Sequence, residues 1–223
     1  MKKVLCVFAA LLALLSFAGC LPVAKSAEPA VFSEEAVLED LEITRYSYQY
    51  DFYGTTVYAE CFEIENTSAF NITLSGEFHY LDESGKLVSV GTRTHEAIGP
   101  YQKTVLSHHQ ETPYSDCELK LSVTLDEEHI SVADVLSSEV TVVGNKLIIA
   151  VTNNGKEAVE RVSAFVLYFK DGQAVDQDSV IYFDVDHELK PGKTITNEFA
   201  PAAAEFDSYK VYLQGQKKSP VLH

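Results

Sequence analysis

The sequence predicts an all-β protein with two tandem β-sandwich domains, and three observations carry that reading. The first is an internal repeat at an offset of about 87 to 92 residues. Phe62-Glu63-Ile64-Glu65-Asn66 runs parallel to Ile149 through Asn153, and Phe78 through Asp82 with Gly85-Lys86-Leu87-Val88 runs parallel to Phe165 through Asp171 with Gly172-Gln173-Ala174-Val175. Further on, Gly99-Pro100 answers Pro191-Gly192, and Cys117 through Leu121 answers Tyr209 through Leu213. The second observation is a period of two. Ile72, Leu74, Phe78 and Tyr80 alternate with Thr73, Ser75, Glu77 and His79, and Leu119, Leu121, Val123 and Leu125 alternate with Glu118, Lys120, Ser122 and Thr124. That spacing places one buried and one wet face on each extended strand. The third is turn chemistry: Gly144-Asn145 joins the β-rich runs 140–143 and 147–151 as a hairpin, with a looser counterpart around Asp51 to Gly54. With 46% apolar residues, 11% aromatics and 22% charged residues, the chain is folded, not disordered.

Taken in chain order, residues 1–19 read as a signal peptide. Lys2 and Lys3 precede the apolar run Val4 to Leu15, and the segment closes on Ser16-Phe17-Ala18-Gly19-Cys20. The small-small-Cys ending resembles the lipobox of bacterial lipoproteins, which implies cleavage before Cys20 and acylation of that residue. Residues 20–36, rich in Ala, Pro, Ser and Glu, suit a flexible tether. The first sandwich is expected over 37–126, a linker or single helical turn over 127–138, the second sandwich over 139–216, and a polar tail over 217–223.

Later stretches are too short in apolar residues for a spanning helix, so the expected membrane attachment is the lipid alone, on the extracytoplasmic face. Removing 1–19 takes away two lysines and no acids, leaving 15 basic against 33 acidic groups, a formal charge of −18. Phosphate backbones and anionic lipid surfaces repel such a chain, which disfavours nucleic acid as a partner. Its only basic doublet is Lys217-Lys218.

Phe165-Val166-Leu167-Tyr168 followed by Asp171-Gly172 resembles the motif of the FxLYD domains, immunoglobulin-like modules of bacterial exported proteins. The first copy is a variant, Phe78-His79-Tyr80-Leu81-Asp82, with Leu and Tyr transposed. The asparagine before each motif strand and the Leu189-Lys190-Pro191-Gly192 turn also match. The resemblance implies immunoglobulin-like sandwiches without catalytic residues. The residues read the same way physically: Phe78, Tyr80, Phe165, Leu167 and Tyr168 as core and sheet-face residues, Asp82 and Asp171 as turn formers.

Cys61 and Cys117 are the pair left after the signal and Cys20 are set aside, and export permits a disulfide. Their separation of 56 residues resembles the sheet-to-sheet bridge of immunoglobulin sandwiches. Two buried thiols acting as small hydrophobes is the other reading, and both stay open at this point.

Candidate chemistry is thin. His108-His109 are neighbours that a strand would aim to opposite faces, which makes a poor metal clamp unless they lie in a loop, and no Cys or third His is near; they are expected as plain loop histidines. No G-x-S-x-G, G-x-G-x-x-G or P-loop string occurs, so neither a catalytic function nor a cofactor is expected. Asp184, Asp186 and Glu188 alternate, with Asp176 and Asp178 upstream, and such carboxylates can hold calcium, although the wet face of an acidic sheet looks the same. Asn66 and Asn71 head glycosylation sequons that a bacterial cell would not read. The expected activity is non-catalytic binding of a protein partner at the cell envelope, through sandwich-end loops or an unpaired strand edge. Reception of a cation or small ligand is the competing expectation.

Overall fold

The computed structural model describes residues 31–182, 188–202 and 205–220. The expected signal peptide, Cys20, most of the expected tether, Asp184 and Asp186 lie outside the described residues. From Val31 onward the chain is one compact unit.

A short helix, α1 (Glu34–Glu39), opens it. Ser33 caps the helix by accepting the Ala36 amide at 3.5 Å, and Glu34 and Glu35 occupy the first turn. Thirteen strands follow among the described residues. In the first half these are β1 (Leu41–Phe52), β2 (Thr55–Asn66), β3 (Ile72–Leu81), β4 (Leu87–Ile98), β5 (Gln102–Gln110) and β6 (Asp116–Leu125). After β7 (His129–Ser131) and a 3-10 turn at Ala133–Val135, the second half repeats the series. It comprises β8 (Leu136–Val143), β9 (Lys146–Asn153), β10 (Arg161–Lys170), β11 (Gln173–Tyr182), β12 (Thr194–Phe199) and β13 (Ser208–Lys218).

The sheet orders match strand for strand. The first half forms sheets β1-β2-β5 and β4-β3-β6; the second forms β8-β9-β12 and β11-β10-β13, with β7 added beyond β13. Every pairing is antiparallel. The expected hairpins form. Tyr53-Gly54 joins β1 to β2 with φ of 48° and 84°, and Gly144 (φ 60°) joins β8 to β9, the left-handed geometry that two-residue turns require.

The two asparagines preceding the motif strands do the same work. Asn66 Nδ2 donates to the carbonyls of Phe70 (2.9 Å), Ile98 (3.0 Å) and Gly99 (3.0 Å), while its Oδ1 accepts the Ser68 amide. Asn153 Nδ2 donates to Glu157 O and Leu189 O, both at 2.8 Å, and its Oδ1 accepts the Gly155 amide. Both side chains are fully buried. Each ties the end of one sheet to a loop of the facing sheet.

Among the described residues, three hydrophobic clusters hold the layers together. Phe62, Ile64, Ile72, Phe78, Tyr80 and Leu106 fill the space between the first two sheets, plugged at one end by Val37 of α1. Ile149, Val151, Ala164, Val166, Tyr168 and Phe199 fill the second pair. A third cluster, with Cys61 and Val105 from one half and Leu167, Phe169 and Tyr212 from the other, lies between the halves. Sheet β1-β2-β5 therefore packs face to face on sheet β11-β10-β13, and four sheets stack in the order β4-β3-β6, β1-β2-β5, β11-β10-β13, β8-β9-β12.

This packing revises several expectations. Residues 127–138 do more than link: Ile130 pairs with Lys217 and Val132 donates its amide to Gly215 O. The tail expected from 217 begins later, because β13 runs to Lys218. The tether ends earlier than 36, with Phe32 against Phe70 (ring centroids 5.5 Å apart) and Val37 in the core. Cys61 and Cys117 form no bridge; both are free and buried, in different clusters. Alternation along β2 is the reason. It sends Phe62 and Ile64 into the first core and Cys61 to the opposite face, toward the second half. Burial pushes both thiols up to about 12, which makes them inert as nucleophiles.

Candidate functional site

The motif residues divide between two roles. Phe78, Tyr80 and Tyr168 are fully buried within their own halves, whereas Leu167, equally buried, and Phe165 face the seam. Tyr80 stands opposite Cys117 and Tyr168 opposite Tyr209, so the two tyrosines are equivalent and Phe78 corresponds to Val166, not to Phe165. The Phe of the motif string thus serves different purposes in the two copies. Asp82 and Asp171 are turn residues, as expected. Asp82 Oδ1 accepts the Ser84 amide, the Ser84 hydroxyl and the Lys86 amide, and these bonds hold its carboxyl below the usual range. Asp171 and Gly172, at φ of 50° and 77°, form the β10–β11 turn.

His108 and His109 lie in β5, not in a loop, and face opposite sides. His108 packs beside Phe78, with its Nδ1 3.0 Å from the Tyr80 hydroxyl, and needs the missing side chain of Gly91: a Cβ there would sit 2.3 Å from its ring. His109 lies against Tyr48 and Tyr50. Of the expected carboxylate group, Glu188 is described and pairs loosely with Lys190 at 3.9 Å. Asp176 and Asp178 are engaged with backbone amides, from Ala202 at 2.5 Å and Ser179 at 2.7 Å, and burial raises both carboxyls. Among the described residues, no three His, Cys, Asp or Glu side chains converge as metal ligands. Asn71 holds the link between the halves, donating to His129 O at 2.8 Å and accepting the Ser131 amide.

One ion pair, between a buried carboxylate and a partly exposed guanidinium, is structural. Glu60, fully buried, accepts both Nε and Nη2 of Arg45 at 2.9 Å, Ser47 Oγ at 2.9 Å and Tyr114 OH at 2.7 Å. Asp116 takes the remaining Arg45 nitrogen at 2.9 Å, and the pair raises the guanidinium pKa while lowering that of Asp116. These bonds engage each of the three Arg45 nitrogens and both Glu60 oxygens, and they tie β1, β2 and β6 together.

The seam is where the two halves build something jointly. Around its apolar centre, Lys210 Nζ bonds Glu63 (2.7 Å) and the Tyr46 hydroxyl (2.9 Å), Ser107 donates to Gln177 (2.8 Å), and Gln214 donates to Thr104 (2.6 Å). Burial disfavours the Glu63 carboxylate, but the Lys210 and Tyr46 bonds outweigh it, and its pKa falls. Along one side the sheets part into a cleft of ≈ 350 Å³, lined by Arg93 and His95 of β4, Arg161, Ser163 and Phe165 of β10, and Gln214 of β13. His95 stacks beside Phe165 at 4.9 Å, and its Nδ1 lies 2.7 Å from Thr104 Oγ1. Burial, with the positive charges of Arg161 and Arg93, lowers its pKa to about 4, so it is neutral at physiological pH. Sequence reasoning missed this cleft, since its lining residues Arg93, Arg161 and Gln214 come from three strands, β4, β10 and β13, that are far apart in the chain and whose meeting no local pattern records. The nearest signal is the unbroken apolar run Ala164 to Phe169, which marks a strand buried on both faces.

No protein-family model matches this chain, and no curated protein matches it. The class defined by the fold is therefore as far as comparison reaches: an all-β, sandwich-type protein of antiparallel sheets. No helix among the described residues is long and apolar enough to cross a membrane.

Proposed function

We propose that this chain is a bacterial lipoprotein, acylated at Cys20 and held on the extracytoplasmic face, whose two FxLYD-type modules act as a non-catalytic binding or scaffold unit. The observation that carries the reading is the ordered string of Lys2-Lys3, the apolar run and Ala18-Gly19-Cys20, followed by a compact body from Val31. The docked α1 and the polar and apolar contacts across the seam support a rigid unit that presents its loops and edges at a fixed distance from the tether. A protein partner at the envelope is the expected ligand; the seam cleft favours small-ligand reception as the second reading.

The test has two parts. Metabolic labelling with a fatty-acid analogue should tag the wild-type protein and leave Cys20→Ser unlabelled and released from the membrane fraction; equal membrane retention of both would end the lipoprotein reading. Affinity capture from the envelope of the source bacterium with residues 21–223 as bait should recover a saturable partner under the binding reading.

A further inference from the structure

We propose that the cleft between the two halves is a binding site for small oxyanions, a carboxylate or phosphoryl group held by Arg93 and Arg161. The chain contains three arginines in all. One, Arg45, is consumed by Glu60 and Asp116; the other two, from different halves, line the same cleft. A protein with a formal charge of −16 has little reason to bring two guanidinium groups together unless something negative joins them.

Neither group is satisfied where it stands. Arg93 makes no ion pair among the described residues, and its one hydrogen bond goes to the carbonyl of the adjacent Thr92, at 2.9 Å. Arg161 reaches Glu96 only at 3.9 Å, with both side chains close to half exposed, a contact that is weak and easily displaced. The guanidinium fork matches the planar geometry of carboxylate and the tetrahedral geometry of phosphate, which a lysine does not. Glu96 lines the cleft too, as the loose partner that an oxyanion would displace from Arg161; the Ser163 hydroxyl adds a neutral hydrogen-bonding group, and the Phe165 ring against His95 forms one apolar wall. A cleft of ≈ 350 Å³ holds a small solute, not a polymer.

The inference gives the small-ligand reading a chemistry and stands whether or not Cys20 is acylated. Its test is isothermal titration of residues 21–223 with sodium citrate and, separately, with sodium phosphate, each against sodium chloride at matched ionic strength. Saturable one-site binding is expected with at least one of the two. Citrate alone identifies a carboxylate site and phosphate alone a phosphoryl site. Arg93→Gln and Arg161→Gln, both on solvent-accessible side chains, should each weaken binding on the order of tenfold, the loss of one charge-assisted hydrogen bond. Lys146→Gln, an exposed residue paired with Glu198 away from the cleft, should bind as wild type. Unfolding curves verify that the variants remain folded. Failure of both anions to bind, or binding untouched by both arginine substitutions, overturns the proposal.

Discussion

Strands β3 and β10 occupy the same place in their two halves and have opposite fates. Each is the centre of its sheet and sends a buried row, ending in Tyr80 or Tyr168, into its own core. Their other faces differ. Where β3 carries Ser75, Glu77 and His79, β10 carries Ser163, Phe165 and Leu167 at the matching positions. The β3 face is solvated, with Glu77 paired to His79 at 3.0 Å; the β10 face is covered by the first half. Two or three side chains thus decide whether a sheet ends the molecule or begins another core. The stacking is also head to tail, since the first half offers its β1-β2-β5 sheet and the second its β11-β10-β13 sheet.

The largest expected effect comes from giving β10 the outer face of β3. Leu167→Glu places an unpaired charge in the seam and removes a fully buried leucine, and it should destabilise the protein by about 4 kcal/mol or more in urea unfolding. A loss below about 1 kcal/mol would mean that the seam contributes little and the halves are held by the link alone.

Next come the equivalent asparagines. Asn66→Ala leaves the carbonyls of Phe70, Ile98 and Gly99 without their donor, and Asn153→Ala those of Glu157 and Leu189. Each should cost about 1–3 kcal/mol, and the double variant about the sum because the sites are in different halves. A neutral result at one site alone would show that the repeat preserves the residue without its role.

A smaller effect depends on pH and on the seam. His95 is lowered from 6.5 to about 4 chiefly by burial, so the unfolded chain binds its proton more readily than the folded one. Its contribution is fully present above pH 6.5 and is lost as pH falls from there toward 4. His108 and His109, also lowered by burial, act in the same direction. The melting temperature should therefore fall across that window, and His95→Gln should flatten the slope; an unchanged profile would remove His95 from the account.

Smallest of all is the reverse exchange on the open face. Glu77→Leu should shift stability by no more than about 0.5 kcal/mol, because the Glu77 side chain is exposed on that side of β3. A gain or loss well beyond that would reveal a packing partner for this face.

Much of this fold was legible in the chain. Alternation over Ile72 to Tyr80 places its apolar row inside and Thr73, Ser75 and Glu77 outside, and Gly144-Asn145 marks its hairpin. Asn66 and Asn153 recur before the motif strands because both sheet ends need the same bonds. The site was far less legible. His108-His109 read as loop residues in sequence, whereas in the structure the place of His108 in β5 depends on the space that Gly91 of β4 leaves for its ring, a contact between separate strands that no local pattern records. Arg93 and Arg161 are 68 residues apart, and no spacing rule joins them.

Sequence alone therefore determined the strands, the turns and the repeat, because backbone geometry and two-residue alternation are local properties. Tertiary structure decided which faces meet: alternation shows which side chains share a face, but not what that face will touch. For Cys61, Leu167 and Phe165 that choice was made by the first half packing on the second, and the cleft with its two arginines exists only because of it.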